Sequence, residues 1–157
     1  MQLETTRFGQ IDVDDGAILT FTQPIIGFQQ FRRFVLLGGD DSGLSWLQSV
    51  DAGDLAFIVV DPRVVVPDYQ FKLGRHELDE LAVESESELE AYTLVVVPAD
   101  ASRIRTNLKA PILINRAQRL AKQAILEFSD YPVRFELRQA QAGARSPQEV
   151  SHARTDS

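Results

Sequence analysis

The sequence predicts an all-β fold: an antiparallel, partly open barrel or sandwich-like arrangement with one short helix. Three observations support it. About ten short runs are either continuously apolar or alternate polar and apolar residues, the period of a strand. Clusters of proline, glycine, aspartate and asparagine separate these runs, and such residues end regular pairing. Only one window, Arg75 to Val83, spaces its apolar residues as a helix does, with Leu78, Leu81 and Ala82 at i, i+3 and i+4. At 157 residues the chain fits one domain with a sizeable core, assigned to residues 1–138.

Taken in order, Gln10-Ile11-Asp12-Val13-Asp14 alternates, Asp15-Gly16 follows, and Ile18-Leu19-Thr20-Phe21 is apolar, which predicts a hairpin turning at Asp15-Gly16. Pro24 and Gly27 break pairing before a loop through Gln29-Gln30. Arg33 to Leu37 reads as a strand ended by the turn formers Gly38-Gly39-Asp40-Asp41-Ser42-Gly43. That cluster lacks the GxGxxG spacing, and its aspartates oppose phosphate, so it is a turn rather than a cradle. Ser45 to Val50 alternates, and Leu55 to Val60 is an apolar run of strand length stopped by Asp61-Pro62.

Beyond the helical window, Tyr92 to Val97 and Arg103 to Thr106 read as strands, as do Ile112-Leu113-Ile114, Ala124-Ile125-Leu126 and Tyr131 to Leu137. Pro111 has no N–H to donate and biases Ala110 toward extended geometry. The stretch Asn107 to Asn115 is therefore expected to be an edge strand, with Lys109 guarding the edge. Residues 139–157 contain no aromatic and only Val150 among the larger apolar side chains, so this tail is expected to be disordered.

The net charge of -7 is unevenly placed. Residues 1–102 carry six Lys and Arg against eighteen Asp and Glu, whereas residues 103–138 carry eight against three. Residues 77–90 hold seven acids and no Lys or Arg. An acidic body opposes nucleic-acid binding and suits a basic protein partner or solubility. No cysteine is present, which removes disulfides and thiolate metal sites and fits a reducing compartment. The first residues show no signal pattern, and no apolar run approaches the length of a membrane span. A cytoplasmic, soluble protein is expected.

Catalytic chemistry is not legible. His76 and His152 are the only histidines, too few for a zinc or iron centre. Ser45 and Ser49 lie in no nucleophile elbow, and Asp12-Val13-Asp14-Asp15-Gly16 matches a calcium loop only in part. The chain is expected to be a non-enzyme without metal or cofactor. The alternative is a small-molecule-binding or enzymatic β-barrel, because barrel mouths hold ligands.

The stretch Asn107-Leu108-Lys109-Ala110-Pro111-Ile112-Leu113-Ile114-Asn115 resembles the flagellar assembly factor FliW family, whose members carry a closely similar NLKAPIxIN stretch. Further pieces agree in the same order: Phe8-Gly9, Pro24-Ile25-Ile26-Gly27-Phe28, Trp46-Leu47-Gln48-Ser49-Val50, and Leu55-Ala56-Phe57 with Asp61-Pro62. Pro67-Asp68-Tyr69, Lys122 to Leu126 and Tyr131-Pro132-Val133-Arg134 complete the set. The resemblance implies a cytoplasmic, non-enzymatic regulator that binds flagellin. When flagellin is scarce it would bind the RNA-binding translational repressor CsrA and relieve repression of flagellin mRNA, with no direct nucleic-acid or membrane contact.

Two surfaces follow as expectations. Asn107, Leu108, Lys109 and Pro111, with Pro67, Asp68 and Tyr69, are expected to contact a protein partner through irregular backbone and exposed polar groups. Glu84, Glu86, Glu88 and Glu90 are expected to lie near the bound repressor and repel RNA.

Overall fold

The computed structural model describes residues 1–38 and 43–137. The expected tail, and the Gly39 to Ser42 part of the turn-former cluster, lie outside the described residues. Among the described residues eleven strands dominate: β1 (Gln2–Thr5), β2 (Gly9–Asp12), β3 (Ile18–Phe21), β4 (Arg33–Leu37), β5 (Leu44–Ser49), β6 (Ala56–Val60), β7 (Glu90–Val96), β8 (Arg105–Thr106), β9 (Ile112–Asn115), β10 (Leu120–Gln123) and β11 (Phe135–Glu136). The helical pieces are a single turn, α1 (Pro62–Val65), the short α2 (Arg75–Glu80), and three 3-10 turns.

The all-β class stands, and the barrel is closed. Strands β7, β6, β5, β4, β3, β10 and β9 pair in that order, and β9 pairs back onto β7 through Ile112 with Tyr92 and Leu113 with Ala91. One pairing in the ring is parallel, β3 with β10, where Thr20 faces Leu120 and Phe21 faces Ala121. Leu19, Phe21, Phe34, Leu47, Val59, Ile112, Ile114 and Ala121 form the buried core. Side chains thus fill the interior, as expected for a narrow barrel.

The predicted first hairpin is not formed. β2 pairs with β1, Leu3 facing Ile11, and not with β3. Asp14 caps a 3-10 turn over Asp15–Ala17 by accepting the Gly16 N–H, and that turn carries the chain from the two-stranded sheet into the barrel. Leu3 and Val13 then pack on Val35 and Val50, so the small sheet covers the outside of β4.

The edge-strand expectation for residues 107–115 is also overturned. β9 is paired on both sides, by β7 and β10, and all four of its residues are buried. Ile112 and Ile114 point into the barrel, while Leu113 lies under Leu78, Leu81 and Val83 of the α2 region. The Asn115 amide donates to the Leu81 carbonyl at 2.8 Å. A six-residue helix does not stand alone in water. Burying Leu78 and Leu81, at roughly 1.5–3 kcal/mol per side chain, holds α2 on the barrel.

Three further elements differ from expectation. α2 ends at Glu80 rather than Val83, because Ala82 adopts φ 61. Val83 N–H then bonds the Leu78 carbonyl at 3.0 Å and Ala82 N–H bonds the Asp79 carbonyl at 3.0 Å, a Schellman end with alanine in the position that favours glycine. Ala82→Gly is accordingly expected to raise stability by about 1 kcal/mol, measured by urea denaturation. Residues 124–126 form no strand, since the ladder ends at Gln123. Within 131–137, only Phe135 and Glu136 pair, onto β8.

Candidate functional site

The stretch shared with the family sits where one strand leaves the ladder and returns. Thr106 faces Val95, and Ile112 faces Tyr92. Two residues of β7, Thr93 and Leu94, therefore oppose five, residues 107–111, and the surplus is pushed out as a wide bulge. Thr106 anchors its start, its hydroxyl 2.6 Å from the Leu94 carbonyl. The Asn107 side chain accepts the Lys109 N–H at 3.0 Å, an Asx turn that bends the chain. Pro111 closes the bulge at a position where no ladder N–H is needed.

Every carbonyl from Leu108 to Pro111 is taken internally. Leu108 accepts the Tyr69 hydroxyl at 2.8 Å, Lys109 the Leu126 N–H at 2.8 Å, Ala110 the Gln123 amide at 3.2 Å and Pro111 the Ala124 N–H at 3.0 Å. Leu108 N–H donates to the Pro132 carbonyl at 3.1 Å, and the Lys109 ammonium donates to the Ser129 carbonyl at 3.2 Å. Leu108 is fully buried with Tyr69 and Leu126. Burial pushes the Tyr69 hydroxyl far above the ordinary phenol range, and the neighbouring Tyr131 adds to this, so it remains a donor. The Tyr69 and Tyr131 rings stack with centroids 4.5 Å apart.

The structure therefore brings residues 67–69 and 107–111 together, but Leu108, Pro111 and Tyr69 are buried. Asn107 and Lys109 are half-buried, and Pro67 and Asp68 are exposed. Asn107 and Lys109 line a cleft of about 380 Å³ together with Ile25, Ile26, Ile125 and Val133. A second depression, of about 700 Å³, adjoins it and includes Phe71, Lys72, Ile125, Glu127 and Phe128. Ile125 belongs to both. Phe128 is 100% exposed, Ile26 62%, Val133 54% and Ile125 52%.

These four apolar residues were not legible as a site. Two signals existed: Phe128 lies among the turn formers Ser129 and Asp130 with no apolar neighbour in sequence, and Ile125 alternates with Ala124 and Leu126, both of which are buried. Apolar side chains clustered on a surface mark an interaction site more strongly than the same residues scattered singly.

The acidic segment is largely committed to the fold. Glu86 accepts the Leu73 N–H at 2.8 Å, and this bond holds its carboxyl below the usual range. Glu88 accepts the N–H groups of Glu84 and Ser85 at 2.9 and 3.1 Å. Glu90 meets Arg116 through two contacts of 2.6 Å, which lowers its carboxyl likewise. Glu84 is the most exposed of the four, its side chain 91% exposed, and it meets only a long contact of 4.0 Å from Arg75. Nearby, the buried Lys122 reaches Glu80 at 2.9 Å and Glu77 at 3.6 Å. Burial raises the Glu80 carboxyl, but hydrogen bonds from Lys122 and Gln23 outweigh it and leave the group lowered.

Glu80, Glu86 and Glu90 thus bind protons less tightly when folded. Their contribution is complete above the unfolded value of about 4.3 and is lost as pH falls through the lower folded values. The urea midpoint is expected to be flat from about pH 6 to 8 and to drop below about pH 4.5.

Among the described residues no group of three or more His, Asp or Glu could hold a metal ion, and no helix is long and apolar enough to cross a membrane.

The sequence model of the FliW protein family matches residues 2–137. The chain belongs to the FliW family. It is 40% identical over 136 residues to a flagellar assembly factor FliW of Ruminiclostridium cellulolyticum, covering 85% of this chain and 92% of that relative. It is 35% identical over 150 residues to the FliW of Thermoanaerobacter pseudethanolicus, covering 92% and 100%. A crystal structure of the flagellar assembly factor FliW superposes with a TM-score of 0.79 at 31% identity, over 87% of this chain and 96% of that one. The FliW match ends where the described residues end, so the bulge and both depressions fall within it.

Proposed function

We propose that the chain is a cytoplasmic, non-enzymatic flagellar assembly factor that acts by holding one protein partner or another. It binds flagellin; when flagellin is scarce it binds the CsrA-type translational repressor and relieves repression of flagellin mRNA. The observation that carries this reading is the exposed apolar surface beside Asn107 and Lys109, on a barrel whose interior is already filled. A filled interior disfavours the small-molecule reading, and a clustered apolar exterior favours macromolecular contact. The flagellar context comes from the names of the relatives.

In this reading Asn107, Lys109 and Asp68 supply polar contacts beside the exposed Pro67, while Leu108, Pro111 and Tyr69 hold the bulge that presents Asn107 and Lys109. The acidic segment discourages RNA from approaching the bound repressor, with Glu84 as its most exposed carboxylate. A pull-down from the native lysate tests this: the chain should retain flagellin, and the repressor when flagellin is depleted. Asn107→Ala with Lys109→Glu should weaken retention without loss of folding, while the thermal midpoint falls because the Asx turn and the Lys109 bond to Ser129 are removed. Retention of neither protein by the wild-type chain would reject the reading.

A further inference from the structure

We infer that Gln123 is a positioning residue for partner binding: its side-chain amide fastens the loop of residues 24–28 to the bulge of residues 107–111 and so fixes the cleft between them. This role rests on the proposed function, which places partner contact at Asn107, Lys109 and the apolar surface beside them. Ile26, on the loop, lines the same cleft as Asn107 and Lys109.

The amide joins the two walls. Gln123 Oε1 accepts the Ile26 N–H at 3.1 Å, and Gln123 Nε2 donates to the Ala110 carbonyl at 3.2 Å. Each bond fixes the other, because the reverse orientation of the amide would set donor against donor at Ile26 and acceptor against acceptor at Ala110. Residue 123 is the last of β10 and faces Ile112 across the ladder. A side chain on a backbone set by the barrel therefore holds both segments at once.

The walls are not equally firm. On the bulge side, the Lys109 and Pro111 carbonyls that flank Ala110 take the Leu126 and Ala124 N–H groups, bonds that run backbone to backbone and survive any change at residue 123. On the loop side, Ile25 is buried in the core, but Ile26 is 62% exposed and Gly27 sits at φ 91, in a segment that belongs to no strand. Loss of the Gln123 amide leaves the bulge in place and frees the loop. A partner that touches both walls then has to order Ile26 as it binds, and affinity falls.

The test uses the full-length chain with purified flagellin and purified CsrA-type repressor, titrated separately. The double variant Asn107→Ala with Lys109→Glu first identifies which of them contacts the bulge. Gln123→Met, similar in length but without the amide, should weaken binding of that same protein roughly fivefold and speed hydrogen exchange of the Ile26 amide. Gln123→Glu still offers an oxygen to the Ile26 N–H and should lose less than Gln123→Met. Ser49→Ala removes the hydroxyl that accepts the Asp51 and Ala52 N–H groups; it should lower the thermal midpoint and leave binding unchanged. If the wild-type chain binds neither protein, or the double variant weakens neither, the proposed function itself fails. Binding by Gln123→Met equal to wild type, unchanged exchange at Ile26, equal losses in Gln123→Met and Gln123→Glu, or a matching loss of binding in Ser49→Ala would each overturn the role of Gln123.

Discussion

Leu108→Ala is expected to destabilise the chain by about 2–5 kcal/mol, lowering the thermal midpoint by roughly 10 °C. Leu108 is 0% exposed and fills the space between Tyr69 and Leu126. The size of the effect depends on how far the surroundings can collapse into the vacated volume. Here they are held: the carbonyls of residues 108–111 are bonded to Tyr69, Leu126, Gln123 and Ala124, and Leu108 N–H to Pro132. A bulge fixed at so many points leaves a cavity rather than closing. Differential scanning calorimetry measures the loss; a change below about 1 kcal/mol would mean that the bulge relaxes freely.

Gly53→Ala is the second large effect, expected near 3 kcal/mol at the upper end of overpacking costs. A Cβ at residue 53 would lie inside contact distance of the Glu4 carbonyl oxygen. Both atoms in the clash are held by backbone, so a side-chain rotation cannot relieve it. The β1–β2 hairpin would have to lift, weakening the Thr6 N–H bond to Gly53, 3.0 Å long, and the stacking of Arg7 over Trp46 at 4.3 Å. Trp46 is the only tryptophan, so its fluorescence reports the displacement directly. Gly38→Ala, where an added Cβ meets nothing within 4 Å, should change stability by less than about 0.5 kcal/mol.

Class and most strand positions were legible in the sequence because alternation and β-branched runs report local geometry. Pairing partners were less so. The Asp15-Gly16 signal pointed to a hairpin, but Gln2 to Thr5 also alternates, and a local pattern does not say which of two strands will take β2. Closure was hidden for the same reason. The β7–β9 pairing joins residues Glu90–Tyr92 to Ile112–Ile114 across a segment that first leaves the ladder. The effects of Pro111 on its own backbone were read correctly, but those effects serve a bulge rather than an edge.

At the candidate site, composition misled in a specific way. Leu108, Pro111 and Tyr69 look like contact residues because they stand in a distinctive stretch, yet they are buried supports. Ile125 was assigned to a strand because it sits in an apolar run; the ladder ends at Gln123, leaving Ile125 facing outward. Glu86, Glu88 and Glu90 are held by hydrogen bonds within the fold, and Glu84 by a longer contact with Arg75, which charge counting along a sequence does not reveal.

Control by occupancy, without chemistry, is tested most directly by following RNA held by the repressor. A fluorescent flagellin-leader RNA bound to purified CsrA-type protein should be released when the chain is added in excess, and recaptured when flagellin is then supplied. RNA that stays bound at saturating chain, or release that flagellin does not reverse, would contradict the partner switch.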